Sequence, residues 1–205
     1  MKRRRHVKWI VVPILFTVAA LIVYMNVSIS PVIRDLARAG VENRASSIIN
    51  EAIEKQLEEG NINYDKIIFL EKDISGNITA LKTNIAEINR IKTQTLSTVD
   101  RLLLDLDVNE IGVPMGNLFL PELFSGTGPT LPVRVLSISN SEADFKNVFW
   151  EAGINQTAHQ IMLDVSVIMT VLTPVGTLGV RAESTVMVAE TVIVGHVPNS
   201  YVNLD

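Results

Sequence analysis

Residues 9–25 read WIVVPILFTVAALIVYM, 17 positions without a charge, and Lys2, Arg3, Arg4, Arg5 and Lys8 stand directly in front of them. A bilayer hydrocarbon core of about 30 Å takes ~20 helical residues at ~1.5 Å each, with ~17 as the usual lower limit. Val7 before the run and Asn26–Ile29 after it bring the stretch near that length. Backbone amides in lipid must be satisfied within the segment, so the expected form is a helix. Pro13 falls near the first turn, where a missing N–H costs least. Trp9 and Tyr24 sit at the two ends, where amphipathic rings favour the interfaces. The expected layout is a basic cytoplasmic tail over 1–8, a transmembrane helix over 9–29 and an extracytoplasmic α+β domain over 30–205.

The flanking charge sets the expected orientation. Five of the 18 Lys and Arg precede the run and no acidic residue does, which leaves 13 basic and 22 acidic residues beyond it, a formal charge of −9. Positive flanks stay cytoplasmic, so the expected location is the cell membrane, single-pass, with the C-terminal domain outside. The acidic balance there argues against nucleic acid as a partner. A cleaved secretory signal would share the basic flank, but no A-x-A site follows the run. The small-x-small candidate Ser28-Ile29-Ser30 is followed by Pro31 at the residue after the cut, so retention as an anchor is expected.

About 175 residues remain beyond the anchor, enough for one domain with a real core. Cysteine is absent, which removes disulfides, thiolate metal sites and thiol nucleophiles. Ser30 and Pro31 read as a helix start. The apolar stripe Val32, Ile33, Leu36, Val41, Ala45, Ile48, Ile49, Ala52, Ile53 and Leu57 follows at three- and four-residue steps, with Gly60 as the stop. Residues 66–73 and 78–84, around Ser75-Gly76-Asn77, read as a β-hairpin. Asn84 and Glu87, at capping-box spacing, open a second amphipathic helix. Its inner stripe is Ile85, Ile88, Ile91, Thr95, Leu96, Val99, Leu102, Leu103 and Leu106, and its expected end is near Asp107. Strands are expected at 132–139, 143–150, 159–173 and 178–194, with a turn at Pro174-Val175-Gly176 and a bulge near Ala189-Glu190. The expected fold is therefore α+β: after the anchor, one antiparallel sheet with two amphipathic helices packed on it.

Three blocks carry a resemblance: VPMGNLFLPELFSGTGPTLPVRV (113–135), DFKNVFWEAGINQTAHQI (144–161) and VAETVIVGHVP (188–198). In these, and in the order basic N-terminus, span, SPVI, helix, hairpin, helix, sheet, the chain resembles the YunB family of sporulation proteins of endospore-forming bacteria. The resemblance implies a membrane-associated protein of the sporulating cell that contributes to building a normal spore; protein partners in the spore envelope are expected. It implies no reaction, cofactor or catalytic residue.

The residues themselves point to little chemistry. His6, His159 and His196 do not pair at helical spacing, and no H-E-x-x-H or similar metal signature is present. Each reads as a polar residue in the tail or at a sheet edge. Asp105-Leu106-Asp107 starts like a calcium loop, but Glu110 stands where an EF-hand needs Gly, and Gly116 where it needs Glu. Phe124-Ser125-Gly126-Thr127-Gly128 lacks the Lys-Ser/Thr of a P-loop. Neither a G-x-S-x-G elbow nor S-x-x-K occurs. No catalytic, cofactor or metal residue is expected, although an Asp/Glu pair for glycoside cleavage stays open. Ala152–Thr157 reads as a polar turn or a contact surface.

The cluster Leu118, Phe119, Leu120, Leu123 and Phe124 is double-valued. It reads as a loop folded over the core, or as an apolar rim that meets a membrane or a partner. The leading expectation is a structural or interaction module of the spore envelope. An extracytoplasmic lipid-binding domain and a cell-envelope enzyme are the alternatives, and the oligomeric state is left open.

Overall fold

A computed structural model describes residues 3–107, 111–119, 121–153 and 155–195; the side chains of 3–11, 22, 25, 26, 119 and 121 are not described. Helix α1 (Arg3–Tyr24) passes through a π-helical turn (Met25–Ile29) into helix α2 (Ser30–Glu58). Ser30 is thus no N-cap, since the helix is already running when it arrives. Pro31 has no N–H for the carbonyl four residues earlier and its ring crowds that position. A wider turn directly before it is where a helix takes up such a defect. Among the described residues no helix is long and apolar enough to cross a membrane. The span expected over 9–29 includes the side chains of 9–11, 22, 25 and 26, which lie outside the described residues.

The end of α2 is local chemistry. Gly60 takes φ +68°, its N–H reaches Leu57 O at 3.0 Å, and the Asn61 N–H reaches Gln56 O at 3.0 Å. That is the Schellman pattern, which satisfies the last orphan carbonyls and needs a residue tolerant of positive φ.

The α+β character is seen in the short helix α3 (Tyr64–Ile67), the hairpin β1 (Ile68–Lys72) and β2 (Ile78–Thr83), and helix α4 (Ile85–Leu104). Next come β3 (Val113–Pro114), two single helical turns α5 (Gly116–Phe119) and α6 (Pro121–Phe124), and β4 (Thr130–Leu131). Three long strands complete the order: β5 (Arg134–Gly153), β6 (Gln156–Thr173) and β7 (Gly176–Val194). Among the described residues the strands form three separate sheets, β1-β2, β3-β4 and β5-β6-β7, rather than one. Strands joined by two residues can only pair antiparallel, which fixes the sense of the third sheet.

The chain divides into two compact units, one of residues 1–42, 106–136 and 170–180, the other of 43–105, 137–169 and 181–205. In the first, Ile33, Ala37 and Val41 of α2 are buried, as are Ile111, Val113, Val133, Val135, Val171, Leu178 and Val180. Arg34 Nη2 donates to Val175 O at 3.1 Å and so fixes the β6–β7 turn on α2. Val32, expected in the inner stripe, is exposed.

In the second unit the stripe of α2 (Ala45, Ile48, Ile49, Ala52, Ile53) and that of α4 (Ile91, Thr95, Val99, Leu103) are buried. Asn84 caps α4, its Oδ1 accepting the Glu87 N–H at 3.3 Å. The reciprocal half of the capping box is not used: Glu87 turns to Arg90 Nη2 at 2.7 Å, and the Asn84 N–H goes to Ile67 O at 2.8 Å. Ile85, at the first helical position, is exposed rather than part of the stripe. Lys66 and Ile67, expected as strand, are helical because Asn63 caps them, its side chain accepting from the Asp65 N–H at 3.0 Å.

Strand β6 alternates cleanly, with His159, Ile161, Leu163, Val165, Val167, Met169, Val171 and Thr173 buried. The two strands expected over 132–150 are one strand, β5, so the polar run Asn140-Ser141-Glu142 lies within a ladder; pairing overrides propensity there. Along β7 the inward residues pass from even to odd numbers between Val188 and Ala189, as an extra residue in the strand would make them.

Candidate functional site

Residues 113–131 close on themselves. Val113 pairs with Leu131 and Pro114 with Thr130, forming a two-residue ladder at the base. Above it the Met115 N–H reaches Pro129 O and the Gly116 N–H reaches Thr127 O, both at 3.0 Å. Thr127 returns two bonds to Phe124 O, from its N–H at 3.0 Å and its hydroxyl at 2.7 Å, and Asn117 Oδ1 accepts the Gly126 N–H at 2.8 Å. Gly116 stands where backbones meet: a Cβ there would lie 2.0 Å from Phe124 O, a distance no side chain can take. Gly126 and Gly128 take positive φ, +73° and +87°. The described residues of this segment therefore form a surface loop whose two ends are bonded to each other.

That internal bonding decides which apolar side chains face water. Leu118 is half-buried, whereas Leu123 is 75% and Phe124 50% exposed. The side chain of Phe119 and the whole of Leu120 lie outside the described residues. The loop carries one charge, Glu122, and no basic residue between Val113 and Leu131.

The other residues singled out in the sequence lie elsewhere. His159 is buried in the second unit, between Tyr64 and Asn147, and Phe149 stacks on it at 4.3 Å. Burial lowers the pKa of His159, and burial also raises that of Tyr64, so neither is set up as an ionised catalyst. His196 and residues 108–110 of the calcium-like stretch lie outside the described residues. Asp105 is the C-cap of α4. In the Ala152–Thr157 turn, Asn155 takes φ +59° and its carbonyl accepts the Gly195 N–H at 2.7 Å. Its conformation is thus part of the turn itself.

Sequence reasoning missed one gathering of charge. Glu142, Asp144, Lys146, Asp164, Ser166, Glu183, Ser184 and Thr185 line an open cavity of about 390 Å³ on the outer face of the long sheet. Lys146 pairs with Asp164 and Lys92 with Asp144. The Lys146 hydrogen bond is the main reason the Asp164 carboxyl titrates below the usual range. No sequence signal marks this group, because its members come from three strands. Among the described residues no three His, Asp or Glu are placed to hold a metal ion.

Comparison with known proteins supports the resemblance read from the sequence blocks. The family described as Sporulation protein YunB matches residues 110–200, which contain the loop and all three long strands. Sporulation protein YunB of Bacillus subtilis (strain 168) is 25% identical over 187 residues, which cover 86% of this chain and 73% of that protein. The chain is thus similar to the YunB family over most of its length. No solved structure matches it.

Proposed function

We propose, starting from its likeness to the YunB sporulation proteins, that this chain is a membrane-anchored component of the sporulating cell and that its C-terminal part works by contact rather than catalysis. The anchor reading is supported by the uncharged run from Trp9 to Met25 behind five basic residues. The described side chains Val12, Ile14, Leu15, Phe16, Val18, Leu21 and Val23 are all exposed and form an apolar surface that the rest of the chain does not cover. The contact reading is carried by one observation. A loop with its backbone bonded internally holds Leu123 and Phe124 out in solvent, within the region matched to the family. Single exposed apolar residues are common, but two adjacent ones on a braced loop form a preorganised patch. With Glu122 beside them, the chemistry they fit is a protein surface offering an apolar socket and a basic neighbour.

The test is the double substitution Leu123→Ser, Phe124→Ser in the full-length chain. Both side chains are exposed, so the melting temperature should stay within a degree or two of the parent while spore formation fails. A normal spore yield with this variant stably present would overturn the contact reading.

A further inference from the structure

We infer that copies of this chain associate side by side through the two outer strands of the long sheet, the β5 edge of one copy pairing in parallel with the β7 edge of the next.

Among the described residues β5 and β7 each have a strand neighbour on one side only, β6. A row of unpaired N–H and C=O groups invites another strand, and soluble proteins blunt such edges with charges, proline or a cover. Here the blunting is missing where it would matter. Every residue from Lys146 to Gly153 is exposed, and between Lys146 and Glu151 the edge reads Asn-Val-Phe-Trp. On β7 the last stretch, Thr191–Val194, is uncharged, with Val192 and Val194 exposed. Neither strand contains proline.

Three features select a second copy as the occupant. The meander has an odd number of strands, so β5 and β7 run the same way; they are also matched in length, at 20 and 19 residues. The bond from the Gly195 N–H to Asn155 O sets their ends level. Trp150, three residues before the end of β5, therefore stands at the height of Val192, two before the end of β7. On the outer face, lateral pairing puts this aromatic beside a β-branched residue, a favourable neighbour in sheets. Finally, among the described residues one β5–β7 contact engages the exposed C-terminal stretches of both strands, beyond the point where Ser46 Oγ of α2 donates to Glu183 O of β7 at 3.2 Å, whereas pairing β5 with β5 engages only one of them. Such a contact is heterologous, and it propagates into a ring or a row.

The chain lacks cysteine, so crosslinking is clean. Full-length chains carrying Trp150→Cys and Val192→Cys, on different tags, are co-expressed and oxidised mildly in the cell fraction that holds them. Thr191→Cys and Ile193→Cys allow for the register. The expected result is a mixed disulfide dimer in the co-expressed sample and none in either variant alone. Should Trp150→Cys fail to match the parent's melting curve, Ala152→Cys with Val194→Cys takes its place. Dimers of Trp150→Cys by itself would mean β5–β5 pairing and would overturn the inference. So would adducts of that cysteine to other proteins without any to β7, or no crosslink with any β7 position. None of these outcomes depends on Leu123 or Phe124.

Discussion

The Tyr64 hydroxyl lies 2.9 Å from Nδ1 of His159, and Nε2 of the same ring lies 3.1 Å from Asn147 Oδ1. With one ring proton on Nε2, donated to Asn147, Nδ1 accepts the phenol O–H, and every polar atom of a buried ring is satisfied. The arrangement belongs to neutral histidine. Burial lowers the folded-state pKa below the ordinary value of about 6.5. The folded state then binds fewer protons than the unfolded state in the window beneath that value. Stability from this residue is full above about pH 6.5 and is lost as pH falls through the folded pKa, by at most ~1.4 kcal/mol per pH unit. Melting curves at pH 7.5 and 5.5 should show a larger loss for the parent than for His159→Gln. Equal losses would show that the ring titrates freely.

Gly116 and Phe124 give a second prediction. A Cβ at 116 would strike Phe124 O at 2.0 Å and Thr127 O at 2.8 Å, both backbone atoms that cannot swing away. Gly116→Ala should open the loop and cost about 2–3 kcal/mol, at the high end for point substitutions. Limited proteolysis should then cut within residues 116–128, where the parent resists. Gly179→Ala, at an exposed position with open space around it, is the control and should melt as the parent does.

Helix α4 offers two substitutions of opposite sign. Leu103 is fully buried, so Leu103→Asp places an unpaired charge in the core and should cost several kcal/mol. Thr95 is equally buried, yet its hydroxyl has no hydrogen-bond partner among the described residues. Thr95→Val keeps the shape and removes the unsatisfied group, which should raise stability by about 1 kcal/mol. Denaturant midpoints read both, and a destabilised Thr95→Val would mean that a bound water satisfies the hydroxyl.

The orientation of the proposed anchor is open to labelling. Ser75 lies exposed at the β1–β2 tip, where Asp73 accepts the Ser75 and Asn77 N–H groups at 2.8 and 2.9 Å. Ser75→Cys should react with a membrane-impermeant thiol reagent in intact vegetative cells, and Arg4→Cys should not, because basic flanks stay inside. Labelling at position 4 alone would reverse the topology.

What the sequence determined by itself is local. The Gly60 stop, the Asn84 cap, the turns at Gly76 and Pro174-Val175 and the stripes of α2 and α4 each depend on residues within a few positions. Their hydrogen bonds close inside one turn of chain, so residue type at fixed spacing is enough. The family resemblance was likewise written in short blocks. Tertiary structure decided the rest. Whether Leu123 and Phe124 face water depends on where Thr127 and Asn117 spend their hydrogen bonds. The burial of His159 required Tyr64 from 95 positions away, and the acidic cavity required three strands at once. The merging of two expected strands into β5 likewise followed from its neighbour β6, because a ladder stabilises even a polar run that has little strand preference of its own. Burial and strand pairing are properties of partners far apart in the chain, and no window of sequence contains both members.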